Sequence, residues 1–263
     1  FQGLAYDGLL EGGDECGADV TFVVGVEDTG TAVTRAVLQG AVLLGANGVG
    51  KSTLIQASLG LVNAQTGTVT LDGCDVLRMR PLERSRSIAS LPQAKQLAWP
   101  LRVRDVVSLG RYPHTETSGG LTQTDWNIVG KALKDCDLED LADRRVDCLS
   151  GGELARVHVA RAFSTNAKII VADEPTGSLD PRQAFGFMNL IRNFVTDGGG
   201  ALIVTHDLAL AHRFADRLLW MHDGQIVADG SPEETFTPKR CAEVYGVYVT
   251  VAGRSMTIEG VSP

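Results

Sequence analysis

No stretch of the chain approaches the roughly 18 consecutive apolar residues that a bilayer-crossing helix needs, so nothing in it reads as a membrane span. Cysteine is scarce. The five cysteines, at 16, 74, 136, 148 and 241, are odd in number and never spaced C-x-x-C, which disfavours a disulfide frame or a zinc site and suits reduced cytosolic thiols. Positive charge is in deficit, with 24 Lys and Arg against 32 Asp and Glu and a net charge of −8, so a nucleic-acid partner held by phosphate neutralisation is disfavoured. Repeats and low-complexity linkers are lacking, and the first fifteen residues carry Asp7, Glu11, Asp14 and Glu15 instead of a basic-plus-apolar leader pattern. What remains is a 263-residue chain, 44% hydrophobic and 21% charged, with the composition and length to bury a sizeable core.

The most informative stretch is Gly45-Ala46-Asn47-Gly48-Val49-Gly50-Lys51-Ser52-Thr53, directly after the apolar run Ala41–Leu44. It fits G-x-x-x-x-G-K-[ST], the phosphate-binding P-loop. Glycines at 45, 48 and 50 let the backbone curl so that successive N–H groups face an anion. Lys51 adds a positive charge for the β- and γ-phosphates, and Ser52 offers a hydroxyl to Mg²⁺. The apolar period through Leu54, Ile55 and Leu59 predicts a helix whose N-terminal dipole favours the same phosphates. A strand before and a helix after separate this motif from a chance glycine-rich turn.

Upstream, β-prone runs at Val20–Val24 and Thr31–Leu38 flank a turn at Asp28–Gly30, and residues 1 to 40 are expected to wrap beside the nucleotide. Thr66–Gly73 reads as an alternating strand closed by an Asp-Gly turn, a hairpin at a sheet edge. Arg78–Arg86 reads as a short exposed helix around Pro81, and Ser87–Gln93 as a buried strand. From about 94 to 148 the pattern turns helical, with helices over Val103–Leu109, Asp125–Cys136 and Glu139–Ala142 and a loop over Gly110–Gly120. Trp126, Val129, Leu133 and Leu138 are spaced to pack as one core stripe. From Leu149 a helix to about Phe163, a strand Ile169–Ala172, a helix Gln183–Phe194 and a strand Ala201–Thr205 follow, a βα rhythm that makes the sheet mostly parallel. Leu218–Ala228 reads as a last hairpin around Asp223-Gly224, followed by a short helical tail.

Two acids follow the Ile169–Ala172 run, at the carboxyl end of a strand, where parallel α/β sheets gather their ligands. Asp173 is expected to hold Mg²⁺ with Ser52. Glu174 is placed to orient or deprotonate the water that attacks the γ-phosphate. Ser150 and the N–H groups of Gly151 and Gly152, at the start of a helix, make a second anion site of the P-loop's type, about 100 residues from the first.

The P-loop, Gln93, Leu149-Ser150-Gly151-Gly152-Glu153, Asp173-Glu174, Ser178-Leu179-Asp180 and His206 come in the order of the ATP-binding cassette (ABC) ATPases, and the chain resembles that family from about 45 to 235. The Leu-Ser-Gly-Gly-Glu run resembles the family signature, which other P-loop nucleoside triphosphatases lack. The resemblance implies an α/β fold: a P-loop NTPase, RecA-like core with a mostly parallel sheet, an antiparallel β subdomain and an inserted α-helical subdomain. As one domain of 263 residues it would divide into core and β subdomain (1–93), helical subdomain (94–150), core continued (151–235) and tail (236–263). ATP and Mg²⁺ are the implied cofactors. Lys51, Gln93, Glu174 and His206 are the implied catalytic residues, Gln93 on Mg²⁺ and the attacking water and His206 on the γ-phosphate. Asp180 falls in the loop that crosses between subunits, and each P-loop of a head-to-tail dimer faces Ser150–Glu153 of the second copy. Adenine would stack on an aromatic ahead of the P-loop, for which Phe22 is the first candidate and Tyr6 the second.

A single cassette with only about 57 residues between Gln93 and Ser150 looks like the separate ATPase subunit of an importer. Ser90–Gln93 and Arg104-Asp-Val-Val-Ser-Leu-Gly-Arg111-Tyr-Pro-His114 resemble the iron-siderophore, haem and cobalamin group. That implies integral-membrane permease partners docked on Gln93–His114, an external binding protein met only indirectly, and a place on the cytoplasmic face of the inner membrane. A non-transport ABC ATPase acting on nucleic acid or ribosomes is the alternative, favoured by tandem cassettes or a basic extension, neither of which is in this sequence. A small-molecule kinase leaves the signature unexplained.

Overall fold

A computed structural model describes residues 19–26, 30–37, 40–62, 66–91, 100–115, 120–253 and 255–261. Six strands form the central sheet in the order β10-β9-β3-β8-β7-β6, of which β3 (Ala41–Gly45), β6 (Ile88–Leu91), β7 (Ile169–Asp173), β8 (Gly200–Val204) and β9 (Arg217–His222) run parallel. β10 (Gln225–Gly230) returns antiparallel from the Asp223-Gly224 turn. Both faces of this sheet are covered, so β3 and β8 are buried at every residue and their sequences are continuous apolar runs without alternation.

Successive side chains of a strand point to opposite faces, and β3 therefore belongs to two cores. Ala41 and Leu43 pack with Ile55 of α1 (Lys51–Ser58), with Leu59 just past its end, and with Val69 and Leu71 of β4 (Thr66–Leu71). Val42 and Leu44 pack with Val157 and Val159 of α5 (Gly151–Ser164), Phe187 and Ile191 of α6 (Pro181–Thr196), and Ala211 of α7 (Leu208–Phe214). Burying a Leu, Ile or Val side chain contributes about 1.5–3 kcal/mol each, so the two layers dominate the favourable side of folding. The helix that follows the P-loop and the helix that follows Ser150 thus lie on opposite faces of one sheet.

The antiparallel unit expected in the first third is a four-stranded sheet, β2-β1-β4-β5, from β1 (Asp19–Val26), β2 (Gly30–Val37), β4 and β5 (Cys74–Asp75). The short helix around Pro81 is α2 (Pro81–Ser87), with no buried residue and Pro81 at its first turn. The helical stretch contains α3 (Val103–Ser108) and α4 (Gln123–Asp135).

The structure corrects four sequence expectations. Gly110–His114, expected as the start of a loop, belongs to a 3-10 helix over Leu109–His114, because the side chain of Arg111 turns inward, pairs with Asp125 at 2.9 Å and donates to Ser164 O at 3.0 Å at the end of α5. Trp126 is 40% exposed and does not extend the Val129, Leu133 and Leu138 stripe. The buried position on that turn belongs to Asp125, whose carboxyl is held at about 2 by hydrogen bonds from the Thr122 hydroxyl and N–H and from Arg111. β6 is only half buried, with Ser90 exposed, since it is the last strand of its sheet. Finally, α8 (Pro232–Thr235) and α9 (Pro238–Tyr245) do not end the chain: a hairpin of β11 (Val247–Ala252) and β12 (Ser255–Val261) follows, and the alternating, β-branched Val247–Val251 is the sequence signal for it.

Candidate functional site

Three neighbouring parallel strands, β3, β8 and β7, deliver their carboxyl ends to one edge of the sheet. The P-loop follows β3, Asp173 ends β7, and His206 lies two residues past β8. This is the edge at which open α/β sheets bind ligands.

At the P-loop, Gly50 stands at φ +100 and Gly48 at φ +83, in the left-handed region that side chains resist. Gly45 is needed for a different reason: a Cβ there would lie 2.7 Å from the Met221 carbonyl oxygen and 2.9 Å from Val49 Cγ2. No side chain caps α1, which leaves its first N–H groups free for an anion. Lys51 is only 6% exposed, and its Nζ donates to the carbonyls of Gly45 at 2.7 Å and Ala46 at 2.8 Å, folding the lysine across the mouth of its own loop. Burial lowers its pKa below the ordinary lysine value, opposed by the charges of Glu174 and Asp173. The ammonium and both carboxylates therefore share one electrostatic neighbourhood. Asn47, Gly48, Ser52 and Thr53 are exposed and face solvent.

Glu174 occupies φ +45, a conformation that costs a non-glycine residue on the order of 1–3 kcal/mol. Its N–H donates to Val204 O at 2.9 Å, extending the β7–β8 ladder by one bond past the strand. Its carboxylate lies 3.6 Å from His206 Nδ1. His206 is placed by the residues on either side of it: Asp207 N–H donates to Thr205 Oγ1 at 3.1 Å, and Asp207 Oδ1 accepts from Leu210 N–H at 2.9 Å to cap α7.

Ser150 caps α5 through a reciprocal box, its N–H donating to Glu153 Oε2 at 2.7 Å and its Oγ accepting from Glu153 N–H at 3.3 Å. The bonds from the Ser150 N–H and hydroxyl hold the Glu153 carboxyl below its usual range. Gly151 and Ser150 are exposed; Gly152 is buried, and a Cβ on it would lie 2.4 Å from the side chain of Gln183. Gln183 in turn donates its N–H to Asp180 Oδ1 at 2.9 Å, so the Ser150 and Asp180 loops are packed together.

The structure thus gathers Gly45–Thr53, Asp173, Glu174 and His206 at one sheet edge, and Ser150–Glu153 with Asp180 elsewhere. Gln93 and Tyr6 lie outside the described residues. The backbone of Phe22 pairs with Thr34 and Val69 in the antiparallel sheet. Sequence reasoning missed Tyr245, whose phenolic oxygen accepts from Gly45 N–H at 2.7 Å from 200 positions away; no local pattern announces it.

A P-loop after one parallel strand, acids at the end of another and a second exposed helix N-terminus define a P-loop nucleotide-binding ATPase. The chain belongs to the ABC transporter family, whose model matches residues 37–177. The hemin import ATP-binding protein HmuV of Pseudomonas entomophila is 39% identical over 214 residues, covering 80% of this chain and 82% of that protein. The cobalamin import ATP-binding protein BtuD of Halobacterium salinarum is 37% identical over 80% of this chain and 52% of its own length. A metal-chelate type ABC transporter solved in an inward-facing conformation superposes with a TM-score of 0.78 over 93% of this chain and 97% of that one, at 22% identity, a likeness of fold.

Proposed function

We propose that this protein hydrolyses ATP to drive an importer of haem, cobalamin or an iron-siderophore through a permease, and that it works as a head-to-tail pair of copies at the cytoplasmic face of the membrane. The observation that carries the cargo class is the 39% identity to a hemin import ATP-binding protein, supported by the similarity to a cobalamin import relative. No described helix is long and apolar enough to cross a membrane, in keeping with a subunit that docks on a separate permease.

The P-loop N–H groups and Lys51 would bind the β- and γ-phosphates. Glu174, beside His206, takes a proton from water as its oxygen attacks the γ-phosphorus. The bond from γ-phosphorus to the bridging oxygen breaks, and the electron pair leaves with ADP. His206 holds a γ-phosphate oxygen during transfer. For Mg²⁺ the donors fit: a hydroxyl on Ser52 and a carboxylate on Asp173 are hard oxygen ligands, and an ion that shares substrate phosphates needs only one or two from the protein. Bound there, it would neutralise charge developing on the phosphates.

The opposite-face placement of α1 and α5 supports a shared site, in which Ser150–Glu153 of one copy closes on the P-loop of the other. A mixture of Ser150→Arg and Lys51→Ala chains is expected to regain ATPase activity that neither variant has alone, up to about a quarter of the parental rate, because half the random pairs contain one intact shared site. No recovery in mixtures that demonstrably form heterodimers would contradict sharing.

For coupling, Leu109 and Tyr112 are 49% and 77% exposed on the 3-10 turn, while Arg111 between them is buried and bonded to the end of α5. That turn is a rigid lever from a permease surface to the helix bearing Ser150. The cargo is tested by growth: a deletion strain supplied with haem, cobalamin or ferric siderophore as the limiting nutrient should fail on one of them and recover with the parental gene but not with its Glu174→Gln form. Undiminished growth on all three would sink the import reading.

A further inference from the structure

Gly45 is gripped at both of its backbone polar groups. Its carbonyl accepts from Lys51 Nζ and its N–H donates to Tyr245 Oη, each at 2.7 Å. We propose that Tyr245 is a positioning residue of the nucleotide site: through Gly45, the carboxy-terminal helix α9 fixes where the P-loop begins and so where Lys51 is seated. The inference rests on the reading of Lys51 as the phosphate-binding lysine.

The phenol is itself firmly held. Its ring meets Trp220 edge-on, with centroids 6.4 Å apart, and Trp220 is wholly buried on β9 opposite Leu44, the residue before Gly45. Trp220 packs edge-on against Phe236 at 5.4 Å and donates from Nε1 to Thr235 Oγ1 at 3.3 Å, which ties α8 into the same cluster. Cys241 and Val244 of α9 and Val249 of β11 are buried in the core that holds Val42 and Leu44 of β3. α9 stops immediately after Tyr245, at Gly246 with φ +65, so the hydroxyl projects from the last helical residue.

Gly45 has little room to adjust, given the close approach of Met221 and Val49. A buried N–H deprived of its acceptor is costly, so the phenolic oxygen completes the end of β3 where the parallel ladder runs out. Burial raises the phenol's pKa above the ordinary tyrosine value and the nearby charge of Glu174 adds to this, so the group stays a neutral hydroxyl within reach of the site's charges. The segment after β10 is therefore part of the site's scaffold, and a load on α9 or on the β11–β12 hairpin reaches the backbone of the phosphate-binding loop through the Tyr245 hydroxyl.

Tyr245→Phe removes that oxygen and keeps the ring against Trp220. The expected result is a rise of about 3- to 10-fold in the ATP dissociation constant by calorimetry, and an equal rise in KM, with kcat at saturating ATP within about twofold of the parent. Thermal unfolding of the nucleotide-free protein and the calorimetry of Lys51→Ala are run alongside. A lowered Tm with unchanged ATP affinity assigns the hydroxyl to stability alone and overturns the proposal, as does unchanged affinity in Tyr245→Phe where Lys51→Ala has lost it. Unchanged affinity in Lys51→Ala itself defeats the reading of the lysine and the inference with it.

Discussion

Replacing Glu174 with glutamine is expected to lower ATP turnover by about 10²- to 10⁴-fold while leaving ATP bound. The amide keeps the shape of the side chain and can still face His206, so neither the backbone at φ +45 nor the N–H bond to Val204 is disturbed. What is lost, on the proposed mechanism, is the group that accepts the water's proton. On the proposed paired mechanism hydrolysis frees the two copies, so the variant is expected to accumulate as an ATP-bound dimer on gel filtration, where the parent runs as a monomer after turnover. Parental turnover in Glu174→Gln would remove Glu174 from the role of base, and a neighbouring group such as His206 would have to take it.

Lys51→Ala should weaken ATP binding by roughly 10- to 100-fold, the size of a charge-assisted hydrogen bond to a phosphate. Two effects combine here. The direct one is the missing ammonium, held by burial in a neighbourhood that also contains Asp173 and Glu174. The indirect one is the freed carbonyls of Gly45 and Ala46, which Lys51 satisfies in the structure and which would then need water. Unchanged affinity by calorimetry would mean that the loop is not the phosphate cradle. Lys51→Arg is an informative companion, since it keeps the positive charge but replaces the compact ammonium with a larger planar guanidinium.

What could be read from the sequence was what depends on neighbours in the chain. The P-loop, the Asp173-Glu174 strand end and the Ser150 cap each consist of residues within nine positions, and their local geometry is as the spacing implies. Glycine at 45, 48 and 50 pointed to a tight turn, and the backbone at 48 and 50 takes positive φ. Most of the misses share a cause in long-range packing. Trp126 follows the helical period yet faces outward because Arg111, fifteen positions earlier, claims Asp125 for the interior. The 3-10 turn at Leu109–His114 exists for the same pair, and the Gly45–Tyr245 bond joins the two ends of the fold. The final hairpin had a legible alternation, outweighed by the expectation of a helical tail.

The placement of the two helix N-termini on opposite faces of one sheet has a kinetic meaning. If Ser150 of one copy serves Lys51 of another, as proposed, then in dilute solution the rate of hydrolysis is expected to scale with the square of subunit concentration until pairs are saturated. A permease that holds two copies side by side replaces that search with a fixed effective concentration, of millimolar order for short tethers. On that proposal, membrane recruitment alone is expected to raise ATP consumption, without altering a single contact inside either subunit.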